Sequence, residues 1–334
     1  MKSGLFGFLN NFVFILVPMK CPLIFLCAFF PLITIAQSRE EIFDFQFHPT
    51  KKGGYYYVET EKKDSLWYRR AWFIAQKTLY MEGTYKDETC KIGQGEFKWY
   101  HPNGYLKART SYVNGLKEGV FLGYDEQGRL KDSLNYHKGY RIGIGYSIHA
   151  NGYMADSTQF DGKGNGVEVR WYDDGSPSSA GYWMQDTLKK GTWKYFHKNG
   201  QVMAIENYDS VGKLIVCNCF DEQSLPLDTS LCRENEATVD ARVWKRFLEK
   251  NLKSLVEQKA KEGLKGNFTV VVRFNVDKDG SVNDIVPLTN YGYGIEEAVV
   301  RIFNKAPAWK PGSMFGKNVK SYHIQPVTFL ISDQ

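Results

Sequence analysis

Residues 191–202 read Gly191-Thr192-Trp193-Lys194-Tyr195-Phe196-His197-Lys198-Asn199-Gly200-Gln201-Val202. Aromatic side chains stand at alternate positions, Trp193 and Tyr195, as on one face of a strand. Asn199-Gly200 follows, and Asn-Gly accepts the positive φ that favoured hairpin turns require. The stretch predicts a β-hairpin with an aromatic face. One hairpin cannot bury such a face alone, so it calls for neighbours of the same kind.

The neighbours are written upstream. Gly95, Gly119, Gly143, Gly166 and Gly191 are spaced 24, 24, 23 and 25 residues apart. Nine residues after each stands a second glycine: Gly104, Gly128, Gly152, Gly175 and Gly200. An aromatic returns late in every unit, at Tyr112, Tyr136, Phe160, Tyr182 and Tyr208. Five hairpin units over 93–217, roughly ten strands, should therefore stack into one extended sheet. His101, His149 and His197 recur at the same turn position, which marks them as structural turn residues rather than a catalytic or metal-binding set. Residues 37–92, with Tyr55-Tyr56-Tyr57 and the run from Trp67 to Phe73, read as a degenerate strand-rich lead-in.

The block over 93–217 resembles the bacterial variant of the MORN repeat, which runs Gly-x-Trp-x-Tyr-Tyr-x-x-Asn-Gly-x-Leu with a later aromatic. Residues 191–202 follow that pattern closely; Gly143-Ile144-Gly145 and Pro177 depart from it in the third and fourth units. The resemblance implies a structural or interaction module and no reaction.

The whole chain has 334 residues, a mean hydropathy of −0.41 and a formal net charge of +6. That length suits two or three domains, and that hydropathy excludes a polytopic membrane protein. Its 43 Lys and Arg interleave with 37 Asp and Glu, whereas nucleic-acid binding asks for clustered basic charge. Residues 1–36 contain no acidic residue, and Met19-Lys20 precedes the apolar run Cys21 to Phe30. Thr34-Ile35-Ala36 then offers small residues for cleavage, so 1–36 is expected to be a signal peptide or an N-terminal membrane anchor. The remainder would lie in the periplasm or cell envelope. In that oxidising setting Cys217 or Cys219 could bridge to Cys232. A thiolate metal site from the same three cysteines is the alternative, and it lacks a nearby histidine.

Residues 218–238 are polar and irregular and read as a linker. Beyond them Trp244, Phe247, Leu248, Leu252, Leu255 and Val256 follow helical spacing, with Asp240 as N-cap and Gly263 as stop. Phe268, Val270, Val272, Phe274 and Val276 alternate as a half-buried strand, and Asp277-Lys278-Asp279-Gly280 turns it into a second one. Asn275, Asp277, Asp279 and Gly280 mimic the start of a calcium loop, but Val286 stands where a bidentate carboxylate is needed. A second helix carries Ile295, Val299, Ile302 and Phe303, and a last strand runs from about Lys320 to Ile331. The expected fold is thus mixed: a mostly β repeat sheet of stacked hairpins, then a small α+β domain of helix, two strands, helix and strand over 239–334.

This domain resembles the C-terminal domain of the energy transducer TonB. The likeness rests on Gly266, Val270, Val272, Phe274, Val276, Asp279-Gly280-Ser281-Val282 and Asp284-Ile285, then Glu296-Glu297-Ala298-Val299. It continues through Pro307, Trp309-Lys310-Pro311-Gly312, Gly316-Lys317 and Pro326-Val327 to Phe329. The resemblance implies binding of an extended peptide from an outer-membrane transporter by strand addition along the last strand. The backbone of Ser321, Tyr322, His323, Ile324 and Gln325 would receive it. It also implies an inner-membrane proton-driven motor as a partner. No histidine precedes His48 and no Pro-rich spacer is present, the hairpin repeats standing in its place. Two readings of the whole follow: a cell-envelope transducer or adaptor that supports transport across the outer membrane, or a periplasmic scaffold that is not energised.

No enzyme motif appears. The chain lacks Gly-x-Ser-x-Gly and His-Glu-x-x-His, and Gly162-Lys163-Gly164-Asn165-Gly166 joins two hairpins instead of a strand and a helix. No cofactor, no metal, no nucleic acid and no small-molecule substrate is expected.

Overall fold

The computed structural model describes residues 38–332. The N-terminal segment read as a signal or anchor lies outside them. Among the described residues no helix is long and apolar enough to cross a membrane.

Fifteen strands form one antiparallel sheet in sequence order. β1 (Ser38–Phe43), β2 (Tyr56–Lys63), β3 (Leu66–Phe73) and β4 (Leu79–Tyr85) come from the lead-in. The repeats supply β5 (Gly95–Tyr100), β6 (Leu106–Val113), β7 (Leu116–Tyr124), β8 (Leu130–His137) and β9 (Tyr140–Ile148). They continue with β10 (Met154–Asp161), β11 (Gly166–Trp171), β12 (Pro177–Met184), β13 (Leu188–Phe196), β14 (Val202–Tyr208) and β15 (Leu214–Cys219). The lead-in is therefore continuous with the repeat sheet, and β15 adds a strand beyond the ten expected.

Each turn uses its glycine in one way. His197 N–H donates to Gln201 O at 2.8 Å, and Gly200 N–H donates to His197 O at 2.9 Å. Gly200 has φ +85°, while Asn199 keeps negative φ. The loop is the three-residue type closed by a left-handed glycine, so Gly200 alone of Asn199-Gly200 takes the positive φ. The asparagine serves hydrogen bonding instead. Asn199 Oδ1 accepts from Gln201 N–H at 3.0 Å, and its Nδ2 donates to Glu222 O at 3.0 Å in the next turn. Asn103 and Asn151 donate likewise to Glu126 and Asp173.

One face of the sheet is buried by large rings lying on glycines. Phe97, Phe160 and Trp193 are each under 5% exposed. A β-carbon at Gly83 would come 2.3 Å from the Phe97 ring, and one at Gly181 would come 2.2 Å from Trp193. The ring fills the place the absent side chain would take, which explains glycine inside these strands.

The second part holds α1 (Ala241–Lys261), β16 (Gly266–Val276), β17 (Val282–Pro287), α2 (Ile295–Phe303), β18 (Gly312–Met314), β19 (Lys317–Val319) and β20 (Ser321–Ile331). Asp240 caps α1 through the Arg242 and Val243 amides, as its position before the apolar periodicity predicted. The three-stranded sheet runs β17-β16-β20. Phe268, Val270, Val272, Phe274 and Val276 bury one face of β16 against Trp244, Leu255, Ile295, Val299 and Phe303. The short β18–β19 hairpin was not foreseen.

The segment read as a linker is fastened at several points. Cys219 and Cys232 form a disulfide. Asn235 bridges to Ser313 and Thr238 to Lys310. Glu222 pairs with Lys317 at 2.6 Å, and the Tyr195 and Phe315 rings lie 4.8 Å apart. Two of these are backbone bridges, which polar composition does not reveal. At the far end of the sheet the Tyr291 ring lies against Gly53, where a β-carbon would meet it at 2.8 Å.

Candidate functional site

β20 has β16 on one flank and no strand on the other. Its hydrogen-bonding phase follows from β16. Val271 N–H donates to Thr289 Oγ1 at 3.4 Å, and Val271 O accepts from Leu288 N–H at 2.7 Å. Both groups of Val271 thus point toward β17, so its partner Pro326 is a non-hydrogen-bonded neighbour whose backbone faces the open edge. Alternation then turns the N–H and C=O of Tyr322 and Ile324 outward. Ser321, His323 and Gln325 spend theirs on Val276, Phe274 and Val272. Of the five residues expected to receive a partner strand, two present free backbone. Pro326 sits at an outward position, where a missing N–H costs the fold nothing. The Gln325 amide donates to Pro326 O at 2.9 Å and occupies that carbonyl.

The side chains follow the same period. Tyr322, Ile324 and Leu330 are 61%, 46% and 59% exposed on the outer face. Thr328 and Leu330 continue the outward phase beyond Pro326; two-residue counting past the proline would have found them. The Arg273 guanidinium lies 6.0 Å over the Tyr322 ring. Lys320 Nζ contacts Asp284 at 3.0 Å and, with the Asn275 amide, holds that carboxyl below its usual range. On the inner face the His323 ring stacks 5.5 Å from Phe274 and lies 5.1 Å from Trp309. Burial lowers the His323 pKa, against the opposing pull of Glu236.

The other singled-out groups have structural surroundings. His101 and His149 place Nε2 2.9 Å and 3.0 Å from Tyr124 O and Trp171 O, one unit on. Asp277-Lys278-Asp279-Gly280 is a turn, with Asp277 N–H on Ser281 O at 2.9 Å and Asp279 accepting from Ser281 N–H. Cys217 stays a free thiol and contacts Cys232 O at 3.6 Å. Among the described residues no three His, Cys, Asp or Glu side chains cluster as metal ligands would.

Two segments of the chain, residues 94–114 and 189–210, match the family model described as a MORN repeat variant. They coincide with the first and last of the five glycine-marked units, so the chain carries MORN-variant repeats within its hairpin sheet. The units that depart from the pattern lie between them. No curated protein matches the chain.

Proposed function

We propose that this chain is a TonB-like cell-envelope transducer or adaptor. Its C-terminal domain takes an extended segment of an outer-membrane transporter as a fourth strand beside β20, supporting transport across the outer membrane. One observation carries the reading: Tyr322 and Ile324 offer unpaired N–H and C=O groups on a strand with an open flank. Such an edge is a template for an incoming strand. The exposed Tyr322 and Ile324 side chains would flank alternate residues of the guest, and the sequence resemblance supports the class of partner.

A scaffold that is not energised is the second reading. The Cys219–Cys232 disulfide ties β15 to the 218–238 segment, the Glu222–Lys317 pair ties that segment to β19, and Tyr195 of β13 packs on Phe315; this chain of contacts favours one platform.

The test is titration of the full chain with peptides from the exposed N-terminal segments of candidate transporters. Weak, salt-tolerant binding is expected. Ile324→Pro should abolish it while leaving the melting temperature nearly unchanged, because that N–H has no partner inside the fold. Undiminished affinity in Ile324→Pro would remove the edge-strand reading. Fractionation separates the two roles: a soluble, released chain cannot transmit force from an inner-membrane motor.

A further inference from the structure

We propose that the repeat sheet holds a binding site for a small aromatic carboxylate, built on Thr110 and Lys117. A cavity of about 240 Å³ opens on the ring-bearing face between β4 and β7. Tyr80, Trp99, Tyr112 and Phe121 line it with rings, and Lys107, Thr110 and Lys117 are polar residues of its lining. A cavity of roughly 150 Å³ accepts benzene, so this one has room for a single ring carrying a carboxylate.

The space comes from an irregularity in the ladder. Arg109 pairs with Leu122 but Ser111 pairs with Glu118, so the single residue Thr110 faces the stretch 119–121. Thr110 is 2% exposed, and its hydroxyl has no hydrogen-bond partner. A buried hydroxyl without a partner is uncommon, because its desolvation goes uncompensated. Thr110 lines the cavity with its hydroxyl covered, so a ligand oxygen meets that hydroxyl once the lining side chains shift.

Lys117 supplies the second observation, and the repeat is its own control. Lys117, Arg141 and Lys189 each stand two residues before a unit's opening glycine. Each lies over rings: Lys117 is 5.3 Å from Phe121 and 4.8 Å from Tyr136, and Lys189 is 5.2 Å from Trp193 and 5.3 Å from Tyr208. Lys189 has a carboxylate, Glu206, at 3.0 Å, and Arg141 has Asp186 at 3.5 Å. In the unit of Lys117 the position of Glu206 is Leu134, and among the described residues Lys117 has no ion-pair partner. No Asp or Glu lines the cavity, and Lys107 is a further lining residue. Burial lowers the Lys117 pKa, as expected for a desolvated ammonium without a counter-ion. A ligand carboxylate between Thr110 and Lys117 would supply the charge that Glu206 supplies to Lys189, with its ring among the four aromatic walls.

Benzoate is the probe, titrated calorimetrically into the full chain at low salt, with benzyl alcohol as the uncharged comparator. Benzoate should bind more tightly than benzyl alcohol. Thr110→Val and Lys117→Met should each weaken it by about tenfold, the worth of one charge-assisted hydrogen bond. Thr110→Val should leave the melting temperature level or raise it, since it deletes an unpartnered hydroxyl. Leu134→Glu copies the Lys189–Glu206 pair into this unit and should abolish benzoate binding in a folded chain. The proposal is overturned by no benzoate heat with wild type, by equal binding of both probes, by unchanged affinity in Thr110→Val and Lys117→Met, or by a clear drop in the Thr110→Val melting temperature.

Discussion

His197 Nε2 donates to the carbonyl oxygen of Phe220 at 2.9 Å, tying the turn of the last hairpin unit to the chain just past β15. The acceptor is a carbonyl, so Nε2 carries the proton and Nδ1 is left without a partner, as is observed. At 1% exposure the imidazole is the most deeply buried of the three periodic turn histidines. His197→Ala removes the bond, strands the Phe220 carbonyl and leaves a void. The expected loss is about 2–3 kcal/mol, read by urea unfolding. His101→Ala, at a half-buried ring, should cost less. Equal losses at both positions would mean that burial does not set the cost.

Gly181 faces the Trp193 ring so closely that any β-carbon collides with it. Trp193 also donates its indole N–H to the Tyr182 carbonyl at 2.9 Å, which fixes the ring in place. Gly181→Ala must therefore displace a pinned ring, at a cost of about 1–3 kcal/mol. The same substitution at Gly143, where nothing lies within 4 Å of an added β-carbon, meets no side chain and strains only a left-handed backbone. Near-ultraviolet circular dichroism should change in the first variant and not in the second.

How far the sequence speaks depends on what sets each feature. Stacked hairpins were legible because the glycine period is written in side chains, and α1 was legible because Asp240 and Gly263 bracket its apolar periodicity. The lead-in strands lack paired glycines, so their continuity with the sheet was not visible. Strands of three residues such as Gly312–Met314 are too short for a period. At the candidate edge, residue types gave the strand but not its phase. That phase is fixed by Val271 bonding toward β17, together with the pairing of β16 with β20 some 55 residues on (Val271 with Pro326). The ladder irregularity beside Thr110 recurs at Gly143 and Gly191, so the glycine period marks it; what the sequence leaves open is which irregularity borders a cavity.

Cys217 and Cys219 lie two apart on β15 and so share a face, and both approach Cys232. The native bridge closes a separation of 13 residues, worth about 3 kcal/mol in the chain-entropy account. Cys219→Ser leaves Cys217 beside the freed Cys232 thiol. Under oxidising refolding a Cys217–Cys232 bridge is expected, detectable by peptide mass mapping, with most of the stability regained. Cys217→Ser should change little. A Cys219→Ser chain with two persistent free thiols would show that β15 cannot bring Cys217 into range.

His323 links acidity to β20. Burial against Phe274 and Trp309 holds its pKa below the ordinary value of about 6.5. The unfolded chain therefore takes up the proton first as pH falls. Stability from this group is complete above pH 6.5 and declines through the interval below it, down to the lowered native value. Glu236 opposes the shift, so the interval is narrower than burial alone would give. His323→Gln should flatten the melting temperature between pH 6.5 and 5 relative to wild type, measured in matched ionic strength. Peptide binding at the β20 edge should weaken over the same interval in wild type alone, because the ring that charges is packed behind the two residues whose backbone faces outward.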